Sequence, residues 1–231
     1  MILSLILLNI FKTVFTRYFM KTLFISAKIR KEPDYEKMRK IVNEKIPEKN
    51  ISICYSNQFV EVAKNLEKAL DKKVVHKAQV LGCSSPKFPE GVEAILIVGQ
   101  GKFHSVSIAY ESKLPVYILE DEMVGKIPEE DVKKMEKKEK AMYLKYLNSK
   151  KIGILVTNKP GQCRLKSAIN FYRGLKDKKG YLFIANDLNV SEFENFNIDC
   201  WVNTACPRMD LTDGEIINLE KLRNIENNSG K

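Results

Sequence analysis

The sequence has few of the residues that build mixed zinc sites, and its cysteines are not arranged in short motifs. Two histidines and one tryptophan occur among 231 residues. No two cysteines are separated by only two residues, so zinc-finger spacing is absent. A disulfide framework does not fit an odd number of irregularly spaced cysteines in a lysine-rich chain. The cysteines are Cys54, Cys83, Cys163, Cys200 and Cys206.

The chain also lacks a clean apolar run of membrane-spanning length. Residues 1–19 are apolar, but Lys12 and Arg17 interrupt them, and a spanning helix needs about 20 predominantly apolar residues. A signal peptide fits poorly, because no small-residue cleavage site follows and the amino-terminal side has no positive charge. We expect this extension to lie outside the fold, as a start-site artefact ahead of Met20, with a membrane anchor as the alternative. A cytoplasmic protein is predicted.

Positive charge exceeds negative charge, with 39 Lys and Arg against 29 Asp and Glu and a net charge of +10. Much of the lysine lies in one polar segment, residues 126–151. Such charge is typical of a surface that attracts RNA or a ribosome-associated protein, or of a solvated helix in a lysine- and glutamate-rich protein. We favour the solvated helix and expect no nucleic-acid partner, because no RNA-recognition motif accompanies the charge.

Short apolar runs alternate with helical patterns from Met20 onward. This alternation predicts parallel sheets covered by helices, so the expected fold class is α/β, with two small lobes of parallel sheet flanked by helices. The predicted strands are residues 22–27, 51–56, 94–101, 115–120, 152–157, 181–186 and 200–205, and the predicted helices are 33–46, 58–70, 129–148 and 163–175.

This pattern divides the chain into five parts. A short internal similarity supports two related units, because residues 51–70 and 152–175 both run strand, polar turn with a glutamine, helix. The predicted parts are the apolar extension 1–19, a first lobe 20–126, a charged connecting helix 127–150, a second lobe 151–214 and a fraying polar tail 215–231.

Three cysteines fall at positions expected at the carboxyl ends of strands. Cys83 follows the short run 74–82, Cys163 lies in a Pro-Gly turn after the predicted strand 152–157, and Cys206 follows the predicted strand 200–205. Ligands gather at the carboxyl ends of strands in open α/β sheets, and a helix amino terminus stabilises a thiolate. Three thiolates with one open position suit a 4Fe–4S cluster, whereas zinc would require four ligands or three and a water. The spacing alone leaves open whether the three share a metal. Cys54 and Cys200 lie in strands and are interpreted as buried side chains.

Three ordered stretches resemble the diphthamide synthase family, over roughly residues 21–214. QVLGCSSPKFPEGVEAILIVGQGKFHSVSIAYESKLPVYILED resembles its middle domain, which has VLGC, a strand, G-D-G-x-F-H and K-P-V-Y. WVNTACPRMDLTDG resembles its final-domain motif, V-N-x-A-C-P-R. ILVTNKPGQCRLKSAINFYRGL lies between them, where the family has a strand, a G-R-Q-G loop and a helix.

The resemblance implies α/β domains that each donate one cysteine to a 4Fe–4S cluster, with the two lobes corresponding to the middle and last domains. The family's cluster binds S-adenosylmethionine (SAM) and, once reduced, cleaves it to a 3-amino-3-carboxypropyl radical. That radical adds to a histidine of elongation factor 2 in diphthamide biosynthesis. An iron–sulfur transferase is therefore implied, with an external electron donor such as a ferredoxin. The implied assembly is a homodimer or a heterodimer with a larger homologue.

Residue by residue, the resemblance assigns roles at several positions. Cys83 matches the ligand of the middle domain and Cys206 the ligand of the last domain. Gln162 matches the glutamine of the loop near SAM, and Arg208 is expected to pair with the methionine carboxylate of SAM. His104 matches a family histidine, for which a structural hydrogen-bonding role is expected.

The family's first domain, with its cysteine, has no counterpart here. Cys163 stands where the family loop has a glycine, so we predict that Cys163 is the third ligand; the alternative is a cysteine lent by a partner chain. The acceptor is then open between elongation factor 2, another protein, a small molecule and an RNA base. A non-catalytic iron–sulfur subunit that assists a full-length family member is the other function that the sequence allows.

Overall fold

The chain builds two β-sheets, one before and one after a long helix. The structure is a computed structural model that describes residues 33–80, 86–99, 103–211 and 215–229. The first sheet has five strands and the second has four, and helices flank both. The predicted α/β fold class is confirmed. The predicted strand 22–27 and the extension 1–19 lie outside the described residues.

The first sheet has the strand order β2-β1-β3-β4-β5, with β5 antiparallel to β4 and the other pairs parallel. The sequence did not predict β5. It returns through a two-residue turn in which Asp121 and Glu122 have positive φ angles of 44° and 62°, without the glycine that usually marks such hairpins. The elements are α1 (Tyr35–Lys45), β1 (Asn50–Tyr55), a 3₁₀ turn (Asn57–Phe59), α2 (Val60–Ala69), β2 (Lys73–Gln79), β3 (Ala94–Val98), α3 (Phe103–Ser112), β4 (Val116–Glu120) and β5 (Met123–Lys126).

The second sheet is parallel throughout, in the order β7-β6-β8-β9. Its four strands repeat the order of the first four strands of the first sheet, β2-β1-β3-β4, which agrees with the internal similarity in the sequence. The elements are α4 (Glu129–Asn148), β6 (Lys151–Thr157), α5 (Leu165–Gly174), β7 (Lys179–Ala185), a 3₁₀ segment (Val190–Asn195), β8 (Cys200–Asn203), a 3₁₀ segment (Pro207–Leu211), β9 (Ile216–Asn218) and α6 (Leu219–Ser229).

The prediction of a fraying polar tail over 215–231 is wrong for most of that range. Ile216 and Ile217 are buried in β9, which pairs with β8. Leu219 and Leu222 are buried in the core beneath α6. The buried leucines of this helix are three residues apart, and most of the residues around them are charged or carry amides. The composition of the segment therefore resembles that of a polar tail.

The predicted helix over 129–148 is confirmed as α4. Its charges form i,i+4 pairs along the exposed side, which is typical of a solvated helix. Its carboxyl-terminal part contributes the buried Tyr146 to the core of the second lobe. In the described ranges, no helix has the length and apolar character that crossing a membrane requires. The i,i+4 pairs are Glu129–Lys133, Glu130–Lys134 and Glu136–Lys140.

The start of each sheet is held by the same set of hydrogen bonds. Glu93, just before β3, accepts from the amides of Lys49 and Asn50, each at 3.0 Å. Asp199, just before β8, accepts from the amides of Lys150 and Lys151 at 2.9 and 2.8 Å. These backbone hydrogen bonds lower the pKa of both carboxyl groups. The two lobes therefore use the same arrangement of hydrogen bonds where their sheets begin.

A lysine before the second strand of each lobe binds carbonyl oxygens near the end of the helix that precedes the first strand of that lobe. Lys72 Nζ donates to the carbonyl oxygens of Ile46 and Glu48 after α1. Lys178 Nζ donates to three carbonyl oxygens at the end of α4, at 2.7–2.9 Å. Both ammonium groups thus bind the backbone where the chain leaves a helix, and Lys178 satisfies two carbonyls, of Tyr146 and Leu147, that the end of α4 leaves without intrahelical partners.

Candidate functional site

One end of the second sheet holds a cavity of about 160 Å³. It is lined by the segments that follow β6, β7 and β8, where ligands gather in open parallel sheets. Two residues predicted from the sequence, Gln162 and Cys206, line it together. The lining residues are Thr157, Lys159, Gln162, Asn186, Leu188, Ala205, Cys206 and Met209.

The loop after β6 carries Gln162 on a tight turn. Thr157 is buried at the strand end, where its hydroxyl donates to the Asn186 carbonyl oxygen (2.9 Å) and accepts from the Lys159 amide (3.2 Å). The Gln162 amide donates to the Lys159 carbonyl oxygen at 3.1 Å. Gly161 has a φ of +78°, a left-handed conformation that glycine adopts without steric cost. The turn therefore fixes the backbone at Gln162.

Two buried asparagines hold the backbone around Cys206. Asn203 accepts from the Ala205 amide (2.8 Å) and donates to the Cys206 carbonyl oxygen (2.7 Å). Asn218 donates to the Pro207 carbonyl oxygen (2.6 Å), and the two side-chain amides bond each other at 2.6 Å. Because the asparagines are register partners in β8 and β9, strand pairing fixes the loop. We call these two residues the asparagine latch.

The sulfur of Cys206 lies in a different environment from two other thiols. Cys206 is half-buried beside the cavity, whereas Cys54 and Cys200 are buried in strands, as the sequence predicts. Burial raises the pKa of Cys54 to about 12 and that of Cys200 to about 11. A buried neutral thiol is inert toward metals and electrophiles. Cys206 follows the end of a strand in the described part of the chain, and a ligand in the cavity can therefore reach its sulfur.

A family model describing diphthamide synthesis proteins matches residues 12–216. The chain belongs to the diphthamide synthesis protein family. The resemblance inferred from the sequence motifs is thus confirmed.

Relatives of this diphthamide synthesis protein include two archaeal enzymes named 2-(3-amino-3-carboxypropyl)histidine synthase. The one from Methanocaldococcus jannaschii is 31% identical over 84% of this chain and 57% of its own length. The one from Pyrococcus horikoshii is 31% identical over 62% of this chain and 42% of its own length. The chain therefore spans about half the length of these relatives.

A solved structure has the same fold. The crystal structure of Dph2 from Pyrococcus horikoshii with a 4Fe–4S cluster aligns with a TM-score of 0.66, at 23% identity, over 81% of this chain and 61% of that chain. This likeness establishes that the lobes of the two proteins are folded alike.

Cys163 of this diphthamide synthesis protein lies on the same loop as Gln162, but it is exposed and is not among the residues that line the cavity. In the ranges that the structure describes, no three His, Cys, Asp or Glu side chains are grouped as a metal site. Cys83 lies outside those ranges. The convergence of Cys83, Cys163 and Cys206 stays a prediction.

The remaining predicted residues lie near the latch or beyond the described side chains. Arg208 is half-buried in the 3₁₀ segment that follows Cys206. His104 belongs to α3, but its side chain is outside the described part. The role of Arg208 toward SAM stays a prediction.

Sequence reasoning missed two contributors to the site. Asn218 comes from the range interpreted as a tail, and it reaches the site through the pairing of β9 with β8, which no local sequence pattern indicates. Lys159 lies at the cavity and pairs with Asp187. It places a positive charge beside Gln162, and its position directly after a strand end was the available signal.

Proposed function

We propose that this protein is an iron–sulfur transferase that cleaves SAM and transfers a 3-amino-3-carboxypropyl group to an acceptor. One observation carries the proposal. Cys206 and Gln162 come from different loops and line one cavity at the carboxyl ends of parallel strands. These are the positions to which the family motifs assign a cluster ligand and a residue near SAM.

A thiolate such as that of Cys206 is the type of ligand that holds a 4Fe–4S cluster. Cys206 offers a half-buried sulfur on a backbone fixed by the asparagine latch. Thiolates select iron–sulfur clusters or zinc over harder cations. Three thiolates, from Cys83, Cys163 and Cys206, would leave one iron open for SAM. The rival source of the third thiolate is a partner chain.

Such a cluster supplies, when bound and reduced, the electron that breaks the sulfur–Cγ bond of SAM. The chain's residues hold and orient the substrate. The Gln162 amide offers a donor and an acceptor to the polar groups of SAM. Arg208, in the 3₁₀ segment after Cys206, is the proposed partner of its carboxylate, and Lys159, which also pairs with Asp187, lines the same cavity. The apolar side chains of Leu188 and Met209 line the cavity and would keep water away from the reactive product.

The proposed acceptor is the diphthamide histidine of elongation factor 2, and the proposed electron donor is a ferredoxin-type protein in the cytoplasm. A homodimer, or a heterodimer with a larger homologue, is the proposed assembly, and a cysteine of the partner chain is the rival source of the third thiolate.

A second function is favoured by one observation. Cys163 is exposed and lies outside the lining, so the described part of the chain supplies one thiol to the cavity. A non-catalytic iron–sulfur subunit that assists a full-length synthase would require no more from this chain. A different acceptor for the 3-amino-3-carboxypropyl group is the remaining alternative.

Anaerobic incubation with SAM and dithionite, after reconstitution with iron and sulfide, distinguishes these functions. The proposal predicts aminobutyrate-type products from the chain alone. Products that form only when a larger homologue is added would support the accessory subunit. Release of 5′-deoxyadenosine would contradict the proposed bond cleavage.

A further inference from the structure

Positive charge is concentrated in one stretch of the second lobe. Residues 150–187 carry nine Lys and Arg against two Asp, which accounts for most of the net +10 of the chain. Several of these cations are exposed on α5, in the loop after it and at the start of β7, namely Lys166, Arg173, Lys176 and Lys179. This surface has the charge that attracts an acidic partner.

β7 is an edge strand in the part of the chain that the structure describes. Lys179 N–H donates to the Lys150 carbonyl oxygen (2.7 Å), and the Ala185 carbonyl oxygen accepts from Asn158 (3.3 Å). Odd-numbered residues of β7 thus face β6. Backbone groups alternate in direction along a strand, so the amides and carbonyls of Leu182 and Ile184 point away from the sheet. They form a row that a further strand can pair with.

The side chains on this edge are apolar and exposed. Tyr181, Leu182 and Ile184 are 44%, 38% and 45% exposed. Edge strands of stable monomers are commonly blunted by proline, bulges or inward charges. β7 pairs with β6 in continuous register and contains no proline. The only charge within it is Lys179, at its first residue.

An aromatic cavity of about 190 Å³ lies beside the strand. Phe183 of β7 meets the rings of Phe196 and Trp201 edge-on, with centroids 4.8 and 4.7 Å away. Phe196 is 47% exposed. An apolar cavity of about 150 Å³ holds a benzene molecule, so this cavity accommodates one large aliphatic side chain. The apolar lining includes Leu155, Phe183, Ile184, Phe193, Phe196 and Trp201, and the polar residues Asp187, Asn189 and Glu192, which follow Lys176 and Lys179 in the sequence, complete it.

We propose that the β7 edge binds an extended segment of an acidic partner protein. The segment adds a strand to the sheet, places one apolar side chain in the aromatic cavity and sets its carboxylates near Lys176 and Lys179. A second copy of this chain is disfavoured, because it would bring two basic stretches together. RNA is disfavoured, because it offers no strand to pair with Leu182 and Ile184. The proposal is independent of the iron–sulfur chemistry.

A fluorescein-labelled peptide of alternating glutamate and leucine tests this surface by fluorescence anisotropy with the full chain. Such a peptide presents all its leucines on one face when extended. The matched control replaces every glutamate by lysine. We expect the acidic peptide to bind roughly tenfold or more tightly than the basic one, with an affinity that decreases as salt is added.

Two kinds of variant locate the binding. Leu182→Pro removes an outward amide donor that makes no bond to β6, and edge strands tolerate such a proline. Leu182→Ala, the matched control, keeps the donor. We expect roughly tenfold weaker binding for Leu182→Pro than for Leu182→Ala. The double variant Lys176→Glu/Lys179→Glu leaves the backbone intact and should weaken acidic-peptide binding by about tenfold. Circular dichroism checks that each variant is folded.

Several results would overturn the proposal. These are absence of peptide binding, equal binding of both peptides, and affinity unchanged in the folded proline and charge variants. Two further results would overturn it. One is competition by oligo-uridine that is as strong as competition by the unlabelled acidic peptide. The other is a dimer of the unmodified chain, detected by light scattering, that the Leu182→Pro substitution dissociates.

Discussion

At the residue scale, the described cysteines differ in how far their sulfurs are from solvent. Cys54 and Cys200 are buried in strands with raised pKa values, while Cys163 is exposed and Cys206 is half-buried beside the cavity. Only a thiolate reacts readily with alkylating agents.

We therefore expect selective labelling of the native apoprotein. Iodoacetamide at about pH 8 should modify Cys163 and leave Cys54 and Cys200 unmodified until the protein is denatured, because their pKa values of about 12 and about 11 keep them as thiols. Peptide mapping by mass spectrometry measures this. Modification of Cys200 in the folded protein would show that its core opens.

The asparagine latch is the second residue-scale feature with a measurable effect. Asn218→Ala removes the donor to the Pro207 carbonyl oxygen and leaves Asn203 without its cross-strand partner. Loss of partners for buried polar groups costs about 1–3 kcal/mol of unfolding free energy. We also expect the reconstituted cluster to show a changed electron paramagnetic resonance spectrum. The exposed Asn170→Ala serves as the control, and an unchanged spectrum and stability in Asn218→Ala would contradict a positioning role.

At the element scale, the two lobes repeat the hydrogen bonds that hold the amino-terminal end of the first strand. Glu93 and Asp199 have lowered pKa values because each accepts two backbone amides at the first strand of its sheet. A carboxyl group whose folded pKa is below its ordinary value stabilises the protein above that value and loses this contribution as the pH falls.

The resulting pH dependence has a defined sign. Stability should decrease as the pH falls below about 4.5 for Glu93 and about 3.8 for Asp199, the ordinary values of these groups. Urea unfolding from about pH 6 to about pH 3 measures it. Asp199→Asn should be less stable than the unmodified chain at the higher pH and should show a flatter decline. A variant with an equally steep decline would exclude Asp199 as a contributor.

In the second sheet, the backbone of Gly153 lies directly against the ring of Trp201, and this contact allows a test of the packing. A Cβ on Gly153 would lie 2.3 Å from Cε3 of Trp201. Gly153→Ala should therefore cost about 1–3 kcal/mol of unfolding free energy through overpacking. Gly125→Ala is a matched control, since nothing lies within 4 Å of its Cβ position. Equal thermal midpoints for the two variants would contradict this arrangement of the Trp201 ring.

Sequence patterns predicted the apolar parallel strands and α4 because their residues alternate or repeat at the period of the element. They did not predict β2, β5, α3 or β9 with α6. β9 is three residues long and is stabilised by pairing with β8, a long-range contact that no local pattern encodes. For the same reason the motifs indicated Gln162 and Cys206, but not Asn218, which reaches the site only through that pairing.

At the scale of the whole molecule, one buried contact joins elements from both lobes. Glu139 of α4 forms an ion pair with Lys221 of α6 at 3.1 Å, with side chains only 12% and 19% exposed. Lys221 also lies 5.7 Å from the ring centroid of Tyr110 in α3. Burial and then the Glu139 carboxylate raise the pKa of Tyr110. The three helices therefore share one polar contact.

Breaking this contact should loosen both lobes together. Glu139→Gln is expected to lower the unfolding free energy by roughly 1–3 kcal/mol. Glu136→Gln, which removes an exposed i,i+4 pair with Lys140, should change it by less than about 0.5 kcal/mol. Denaturant titration of the two variants compares them directly. Equal effects would mean that Glu139 and Lys221 do not form a buried pair in solution.

Cluster assembly on Cys206 is the central claim, and iron content with the visible and paramagnetic spectra after anaerobic reconstitution is its most direct test. Cys206→Ala should lose the cluster, Cys163→Ala should lower the iron content, and the buried Cys200→Ala should keep the about four irons of the unmodified chain. A Cys206→Ala protein with unchanged iron content and spectra would contradict the account.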